Sequence, residues 1–513
     1  MQQKIKAKTR LNLNPPIRGQ KGCDYLKKYQ FQLRLLLIIS NLTFALEFEF
    51  FNQFFKRNAE EIVLANQNGQ VYIDSNVSLY SSLLQGILIS IALGYMRDFL
   101  SQAFTYYFGG VIMIMQNIFK LIFLSHPNYQ YYIINLYMYG ISNGIYQDNS
   151  MTLLMRFSYK QQNLFFTLSI NLIGCIIIPK VFVFFIIQKI QWSYRYAIIC
   201  SILVIQLLIL IYTIPKIIQI YRHGKQIEGE EDPKYDRLWR ISYSKAPLQA
   251  VLSSFFNRGS KRVLVMFIFL GLQIAFCQDQ IYAGVKFFYS NDPSQYNGIY
   301  VSTQLDEQQN EQIFYQSSII YIVSVLGLII SLMTGIYIDK KRRSLREIKY
   351  IMLINGLVLS TSFIILNFIN HTDVFNLDYP NVKDIYNAPF YLVLFLSFLI
   401  GSGLGNCFLF AYLLILYGCP YKVKGTFLGV FSFMYSIIGI IQQFIVISLV
   451  DIISQYQLGA GIFLIFISFL SFFYIQQYPP RFYKQFVYQA KIKVIKAKNS
   501  NISVSTELST SIN

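Results

Sequence analysis

Charged residues are scarce in this chain of 513 residues, at 13% Asp, Glu, Lys and Arg. A soluble domain carries about 25%, so a soluble globular protein is disfavoured. There are only three His, and the six Cys are scattered without a Cys-x-x-Cys pair. That spacing predicts neither a disulfide framework nor a zinc site. We therefore expect no metal and no cofactor.

Catalytic motifs are also missing from the sequence. It contains no His-Glu-x-x-His, no phosphate-binding loop of the Walker type and no Ser/His pair with catalytic spacing, so we expect that the protein is not an enzyme. Residues 1–32 are polar and basic and lack the early apolar segment of a cleavable signal peptide. The formal charge of +19 is compatible with nucleic acid, but we interpret it as the positive charge on the cytoplasmic side of a membrane protein and expect no nucleic-acid partner.

Apolar residues, 54% of the chain, occur in runs of about 20, the length needed to cross a hydrocarbon core about 30 Å thick. In lipid each run must be helical, because every backbone amide needs a partner within the segment. The sequence therefore predicts an all-α polytopic membrane protein with twelve spans. They lie at 33–54, 78–96, 104–125, 131–155, 163–187, 193–214, 262–284, 314–336, 347–369, 389–417, 425–450 and 457–477.

The spans divide into two halves of six. A basic tail (1–32) precedes the first bundle (33–214), a polar linker (215–261) separates it from the second bundle (262–477), and a tail (478–513) follows. With the N-terminus in the cytoplasm, 35 of the 44 Lys and Arg lie in or beside the inside segments and five lie in outside loops. This asymmetry predicts that both termini are cytoplasmic. Plasma membrane and endomembranes both stay open as the location.

The two halves repeat a short motif. Gly94-x-x-x-Asp98 follows the second span, and Gly335-x-x-x-Asp339 follows the eighth, 241 residues later. Glycine permits close approach of two helices, and the carboxylate can then face the positive end of a neighbouring helix.

This repeated motif, in a chain of six plus six spans, resembles the major facilitator superfamily. The resemblance implies two six-helix bundles that rock about a central site, with the motif acting as a latch between them on the cytoplasmic side. The residues that this resemblance assigns to the latch are Gly94, Arg97, Asp98, Gly335, Asp339, Lys340, Arg342 and Arg343. The alternative is an ordinary inside loop with a helix-capping Asp.

A weaker resemblance points to the organophosphate/phosphate exchanger branch, which includes sugar-phosphate and glycerol-3-phosphate exchangers. It is carried by Trp192 with Arg195 before the sixth span and by Pro420 with Lys424-Gly425-Thr426 before the eleventh. That branch binds phosphate through arginines in the first and seventh spans. Here those stretches, 46–50 and 277–280, contain acids and amides and no basic residue.

Polar side chains inside the spans are candidates for substrate or ion binding, because a charge at depth costs several kcal/mol. The competing interpretation is that each one joins helices or lies near the membrane interface. Glu47 and Glu49 are two residues apart, about 200° around a helix, so both cannot face one cavity squarely. For Lys180 the alternatives are an anionic substrate group and a structural salt bridge, with Asp148 as one partner. The candidates are Glu47, Asn143, Gln147, Asp148, Lys180, Gln278, Asp279, Asn406 and Gln442.

Secondary transport of a small organic solute by alternating access is the predicted function, with an organic anion or sugar phosphate as the substrate implied by resemblance. Proton coupling through Asp148 or Glu47 is a hypothesis, and a counter-transported anion is the other coupling partner considered. The alternative function is a sensor or structural membrane partner with this fold and no transport activity. The partners expected are therefore the lipid bilayer and a small-molecule solute.

Overall fold

A computed structural model describes residues 20–50, 94–96, 102–139, 141, 163–185, 194–231, 258–289, 316, 319–341, 345–369, 388–418, 424–448 and 456–476. The regular secondary structure in these ranges is helical. The helices are α1 Gln20–Phe50, α2 (described at 94–96), α3 Gln102–Ser125, α4 (129–139), α5 Leu164–Phe185, α6 Arg195–Glu231, α7 Arg258–Tyr289, α8 (319–327 and Ile330–Lys341), α9 Leu345–Asn367, α10 Ala388–Gly418, α11 Lys424–Ser448 and α12 Tyr456–Gln476.

The exposed surface of the bundle is apolar, as a bilayer requires. Eight of the described helices are long and apolar enough to cross a membrane. On α6, Leu208 and Ile211 are 61% and 67% exposed, and on α12 Phe466 and Phe473 are 59% and 58% exposed. Apolar patches of this extent are unusual on a soluble monomer. The chain is thus an integral, multi-pass membrane protein with lipid against these faces.

Several helices run past the predicted spans. α1 begins at Gln20 rather than at 33, and α6 continues through Pro215 to Glu231, into the predicted linker. Hydropathy marks only the part of a helix that lies in hydrocarbon, and the backbone of a helix satisfies its own amides in water as well. α10, at Ala388–Gly418, matches its predicted span of 389–417 within one residue at each end.

Most of the packed helix pairs lie within one half, and the two halves contact each other at defined places. α1 packs on α5 and α6, and α3 packs on α6, while α7 packs on α10 and α11 and α9 packs on α10 and α12. Within the second half, α8 and α10 approach at Gly327 and Gly401, where a Cβ would lie 2.8 Å from Ser402 N and from Ser324 C, respectively. The halves meet where α8 packs on α5. That contact is central to the candidate site.

Candidate functional site

Asp339 lies near the end of α8 and caps a helix of the other half. Its Oδ2 accepts a hydrogen bond from the Phe166 amide (2.9 Å), and its Oδ1 accepts one from the Phe165 amide (3.3 Å). These amides are in the first turn of α5, where a helix has N–H groups without intrahelical acceptors. The carboxylate also lies at the positive end of the α5 dipole. One side chain of the second half therefore satisfies the start of a helix of the first half.

Gly335, one turn before Asp339, makes this approach possible. A Cβ at Gly335 would lie 2.7 Å from the Phe165 carbonyl oxygen, so any larger residue would push α8 off α5. Beside it, the Ser169 hydroxyl lies 2.9 Å from the Ser331 carbonyl oxygen and 2.8 Å from that of Phe165. We call this contact between Gly335, Asp339 and the first turns of α5 the latch contact.

The other half of the molecule has the matching contact. A Cβ on Gly94 of α2 would lie 2.7 Å from the Gly425 carbonyl oxygen and 3.0 Å from Thr426 Cα. These atoms belong to the first turn of α11, which is the counterpart of α5 in the second half. Arg97, Asp98, Arg342 and Arg343 lie outside the described residues, and Lys340 is exposed at the end of α8.

Arg34 of α1 reaches the same turn of α5. Its Nη1 donates a hydrogen bond to Thr167 Oγ1 at 3.1 Å, and Thr167 in turn donates to the Asn163 carbonyl oxygen at 2.8 Å. The Asp339 carboxylate attracts the Arg34 guanidinium electrostatically. The start of α5 is thus contacted by an anion from α8 and by a cation from α1.

Inside the first half, a buried polar network joins α1, α3 and α6. Lys120 of α3 forms an ion pair with Glu47 Oε1 of α1, and the two side chains are 0% and 2% exposed. Lys120 Nζ also donates to Asn117 Oδ1 (3.2 Å), and Asn117 Nδ2 donates to Gln206 Oε1 of α6 (2.7 Å). The Phe50 ring lies 5.9 Å from Lys120 Nζ and shields the pair on one side. The charges are neutralised within the bundle, as burial in low dielectric demands.

The second half has a neutral network between the corresponding helices. Cys407 Sγ of α10 donates to Gln273 Oε1 of α7 (3.2 Å), whose Nε2 lies 3.5 Å from Ser468 Oγ of α12. Asn406 Nδ2 donates to Asn355 Oδ1 of α9 at 2.9 Å. The first, third and sixth helices are thus joined by an ion pair and amides in the first half. In the second half the corresponding helices α7, α9 and α12 are joined by neutral groups, with α9 connected by way of Asn406 and Cys407 of α10.

The predicted substrate and coupling residues are placed as follows. Glu47 and Asn406 are buried members of the two networks. Gln278 is half-buried on α7, and Gln442 is buried on α11. Asn143, Gln147 and Asp148 lie outside the described residues. Lys180 and Asp279 belong to α5 and α7, with side chains outside the described part.

Three important residues of these contacts are absent from the predicted sites: Arg34, Lys120 and Asn117. A signal for two of them exists in the sequence, since Asn117 and Lys120 are three residues apart in an otherwise apolar run and share one face of α3. Arg34 lies at the edge of a predicted span, where the positive-inside pattern already accounts for a cation. Only the fold brings Arg34 to α5.

No protein-family model matches the sequence, and no curated protein matches it. Solved structures do match. The E. coli fucose:proton symporter FucP superposes with a TM-score of 0.54 at 12% identity, over 88% of this chain and 99% of that one. A double-tryptophan variant of XylE superposes with a TM-score of 0.59 at 13% identity, over 88% of this chain and 96% of that one.

The chain has the major facilitator fold. A second XylE structure, described as a proton:xylose symporter bound to 6-bromo-6-deoxy-D-glucose, superposes with a TM-score of 0.54 at 13% identity over the same shares of the two chains. The twelve predicted spans and their division into two halves agree with this fold. The FucP and XylE structures named above are of sugar symporters, and they do not support the resemblance to the organophosphate exchanger branch.

Proposed function

We propose that this protein is a secondary active transporter that carries a small organic solute across a membrane by alternating access. The observation that carries the proposal is the latch contact. Two halves that stay packed together need no special contact at one end. Two halves that separate and come together again at that end need a contact that is specific and polar enough to re-form. Asp339 on the first turn of α5 has that character, and Gly94 makes the corresponding close approach to the first turn of α11.

Within this proposal the latch end of the bundle is cytoplasmic, together with both termini. The excess of Lys and Arg in the corresponding loops supports this orientation. In the conformation described here the latch contact is made, so the transport pathway is closed at that end. The solute would then enter from the opposite side.

A neutral, hydroxyl-rich solute such as a sugar is the class that we propose to test first. The described candidates on the helices of the second half, Gln278, Asn406 and Gln442, carry amides, which suit hydroxyl groups. The symporters that share the fold carry fucose and xylose. A sugar phosphate or another organic anion is the second class, and Lys180 is the cation that we would assign to it.

Protons are the coupling ion that we propose. Both sugar transporters named above are proton symporters. Glu47 is held by Lys120, so it can exchange a proton only when that ion pair opens. Asp148, which we place in the fourth span, is therefore the first coupling residue to test.

The test is uptake into proteoliposomes made with the purified full-length chain. Labelled fucose, xylose, glucose-6-phosphate and phosphate are each offered with and without a pH gradient, and protein-free vesicles give the leak. Saturable uptake of a sugar that rises with an inward proton gradient supports the proposal. Asp148→Asn should abolish the response to the gradient, whereas Ser201→Ala, at an exposed position of α6, should leave it intact.

A separate variant, Lys180→Ala, tests the phosphate and glucose-6-phosphate measurements. Saturable exchange of phosphate or glucose-6-phosphate that is lost in Lys180→Ala would place an anion site on α5 and replace the sugar with an organic anion. The proposal would be contradicted for these four solutes if none of them is taken up by protein that is monodisperse and unfolds cooperatively on heating. It would then favour the sensor or structural alternative.

A further inference from the structure

α8 changes its hydrogen-bond pattern in its middle. A regular α-helix joins each amide to the carbonyl four residues before it, but four amides of α8 bond to the carbonyl three residues before, as in a 3₁₀-helix. The donor–acceptor distances lie between 2.9 and 3.1 Å, and this part of α8 contains no proline. We call it the 3₁₀ turn. Its donors are the amides of Leu328, Ile329, Ser331 and Leu332, and its acceptors are the carbonyl oxygens of Val325, Leu326, Leu328 and Ile329.

The 3₁₀ turn divides α8 into two segments with different neighbours. The anchor segment (319–327) lies against α10 at Gly327, where a Cβ would lie 2.8 Å from a backbone nitrogen of α10. The latch segment (Ile330–Lys341) carries Gly335 and Asp339, which contact α5 of the other half. The turn thus lies between a part of α8 that is held on its own half and a part that reaches the other half.

The turn leaves one buried hydroxyl unpaired. A serine in an α-helix can bond its hydroxyl to the carbonyl four residues earlier, as Ser324 does to Ile320 (2.8 Å). Ser331 Oγ, by contrast, is buried without a hydrogen-bond partner among the described residues, and the Ser331 amide bonds to Leu328 rather than to Gly327. A regular α-helix at this place would bring the Gly327 carbonyl within reach of both the amide and the hydroxyl of Ser331.

Conversion of the turn into α-helix would rotate the latch segment. A 3₁₀-helix turns about 20° more and rises about 0.5 Å more per residue than an α-helix. Over a turn of about four residues the two forms therefore differ by about 80° in rotation and about 2 Å in length. Gly335 and Asp339 contact α5 with the latch segment in its present rotation. The α-helical form would turn both of them off the first turn of α5.

We propose that the 3₁₀ turn of α8 is a conformational switch, whose 3₁₀ form holds the latch contact and whose conversion into α-helix pairs the Ser331 hydroxyl and opens that contact. The inference rests on the proposed alternating-access function. The 3₁₀ form gains the hydrogen bonds of Asp339 to α5, and the α form gains those of Ser331 to Gly327. Each form has contacts that the other lacks, as a two-state element requires.

The experiment measures opening of the latch end without any solute. Ser169, which is 0% exposed at the latch contact, is replaced by Cys, and the rate of its reaction with a water-soluble maleimide is followed by peptide mass spectrometry. Cys277 and Cys407, both buried in the second half, are internal references for global unfolding. Variants of the 3₁₀ turn are compared in this Ser169→Cys chain.

Ser331→Ala should lower the labelling rate about threefold to fivefold, because it removes a hydrogen bond that is made only in the α form. Ser324→Ala is the matched control on the same helix. The Ser324 hydroxyl bonds to Ile320, ahead of the turn, and is paired in both forms. Its removal should therefore leave the labelling rate unchanged.

A change of opposite sign comes from the apolar residues of the turn. Ile329→Leu together with Ile330→Leu should raise the labelling rate about twofold, since Leu loses less side-chain freedom than Ile in an α-helix. Ile329 is 46% exposed, so its replacement changes few contacts within the protein. Ile336→Leu, at an exposed position of the latch segment beyond the turn, is the control and should have no effect.

A structure of the chain with the latch held open tests the switch directly. Gly335→Leu prevents the close approach to α5, and Asp339→Asn, which weakens the latch contact without added volume, is the second variant. Fast labelling at Ser169→Cys identifies the open latch end in either chain. We expect the Ser331 amide of the open chain to bond to the Gly327 carbonyl, with the latch segment rotated by about 80° against the anchor segment.

Two outcomes would overturn the inference. One is an equal labelling rate in Ser331→Ala and Ser324→Ala. The other is a structure with the latch end open in which the Ser331 amide still bonds to Leu328. Because neither measurement needs a solute, a switch that meets both expectations together with a failure of every uptake assay would retain the switch and remove transport.

Discussion

Lys120 on α3 and Glu47 on α1 form an ion pair that is closed to solvent, between helices of the same half. Glu47 Oε1 binds the Lys120 ammonium, while Glu47 Oε2 is buried without a hydrogen-bond partner among the described residues. The pair therefore joins two helices at the expense of one unsatisfied oxygen. Its contribution should show itself when only one of the two charges is removed.

We predict that Glu47→Gln and Lys120→Met each destabilise the protein strongly, by about 3–5 kcal/mol, since each leaves one buried charge without its partner. The double variant Glu47→Gln with Lys120→Met should be more stable than either single variant. The measurement is thermal unfolding in detergent, read as the shift in midpoint. Strictly additive losses in the double variant would contradict a direct pairing.

A larger side chain at either latch glycine should disable the protein. A Cβ at Gly335 would lie only 2.7 Å from the Phe165 carbonyl oxygen, and a Cβ at Gly94 only 2.7 Å from the Gly425 carbonyl oxygen. Gly335→Leu and Gly94→Leu would therefore each force the two contacting helices apart. We expect uptake to fall at least tenfold in both, because the latch end cannot close. Gly439→Ala, where no neighbouring atom lies within 4 Å of the new Cβ, is the matched control and should retain uptake. Full uptake in Gly335→Leu would refute the gating role.

The neutral network of the second half should depend on Asn355. It donates to the Gly403 carbonyl oxygen (3.4 Å) and accepts from Asn406 (2.9 Å), so Asn355→Leu leaves buried polar groups unpaired. The expected cost is about 1–2 kcal/mol, as for polar contacts between membrane helices. Thermal unfolding measures it, with Thr361→Val at an exposed position of α9 as the control. Equal midpoints for the two variants would show that the network is dispensable.

Both termini should lie on one side of the membrane. An epitope tag before Met1 and another after Asn513 are predicted to show the same accessibility to antibody, intact cells giving no signal and permeabilised cells giving both. Twelve spans and the distribution of Lys and Arg produce this result. Tags on opposite sides would require an odd number of spans.

Much of the fold can be predicted from the sequence because the bilayer limits the choices. A run of about 20 apolar residues has to be a helix, and α10 accordingly matches its predicted span within one residue. The repeated Gly-x-x-x-Asp also indicates where the halves approach. In contrast, the pairing of Glu47 with Lys120 depends on the rotation of α1 and α3 about their axes. Apolar residues surround both helices, so no hydrophobic face marks the side that turns toward a neighbour.

The same limit explains the residues that went unpredicted. Arg34 satisfies the positive-inside rule wherever its side chain points, and Gln206 is one amide in an exposed, apolar helix. Their partners, Thr167 and Asn117, are 133 and 89 residues away in the sequence. Contacts of that separation follow from the three-dimensional arrangement of the helices. A single sequence without related sequences carries no record of them.

The ion pair has a consequence for the order in which the protein is made. α1 leaves the ribosome before α3, so Glu47 enters the membrane before its partner Lys120 does. An ionised side chain at the centre of a lone helix raises the free energy of insertion by about 2.5–3.5 kcal/mol, and Glu47, in the last turn of α1, raises it by less. α1 should therefore settle in the bilayer only once α3 arrives, and assembly of the first half becomes a joint event of helices that are distant in the chain.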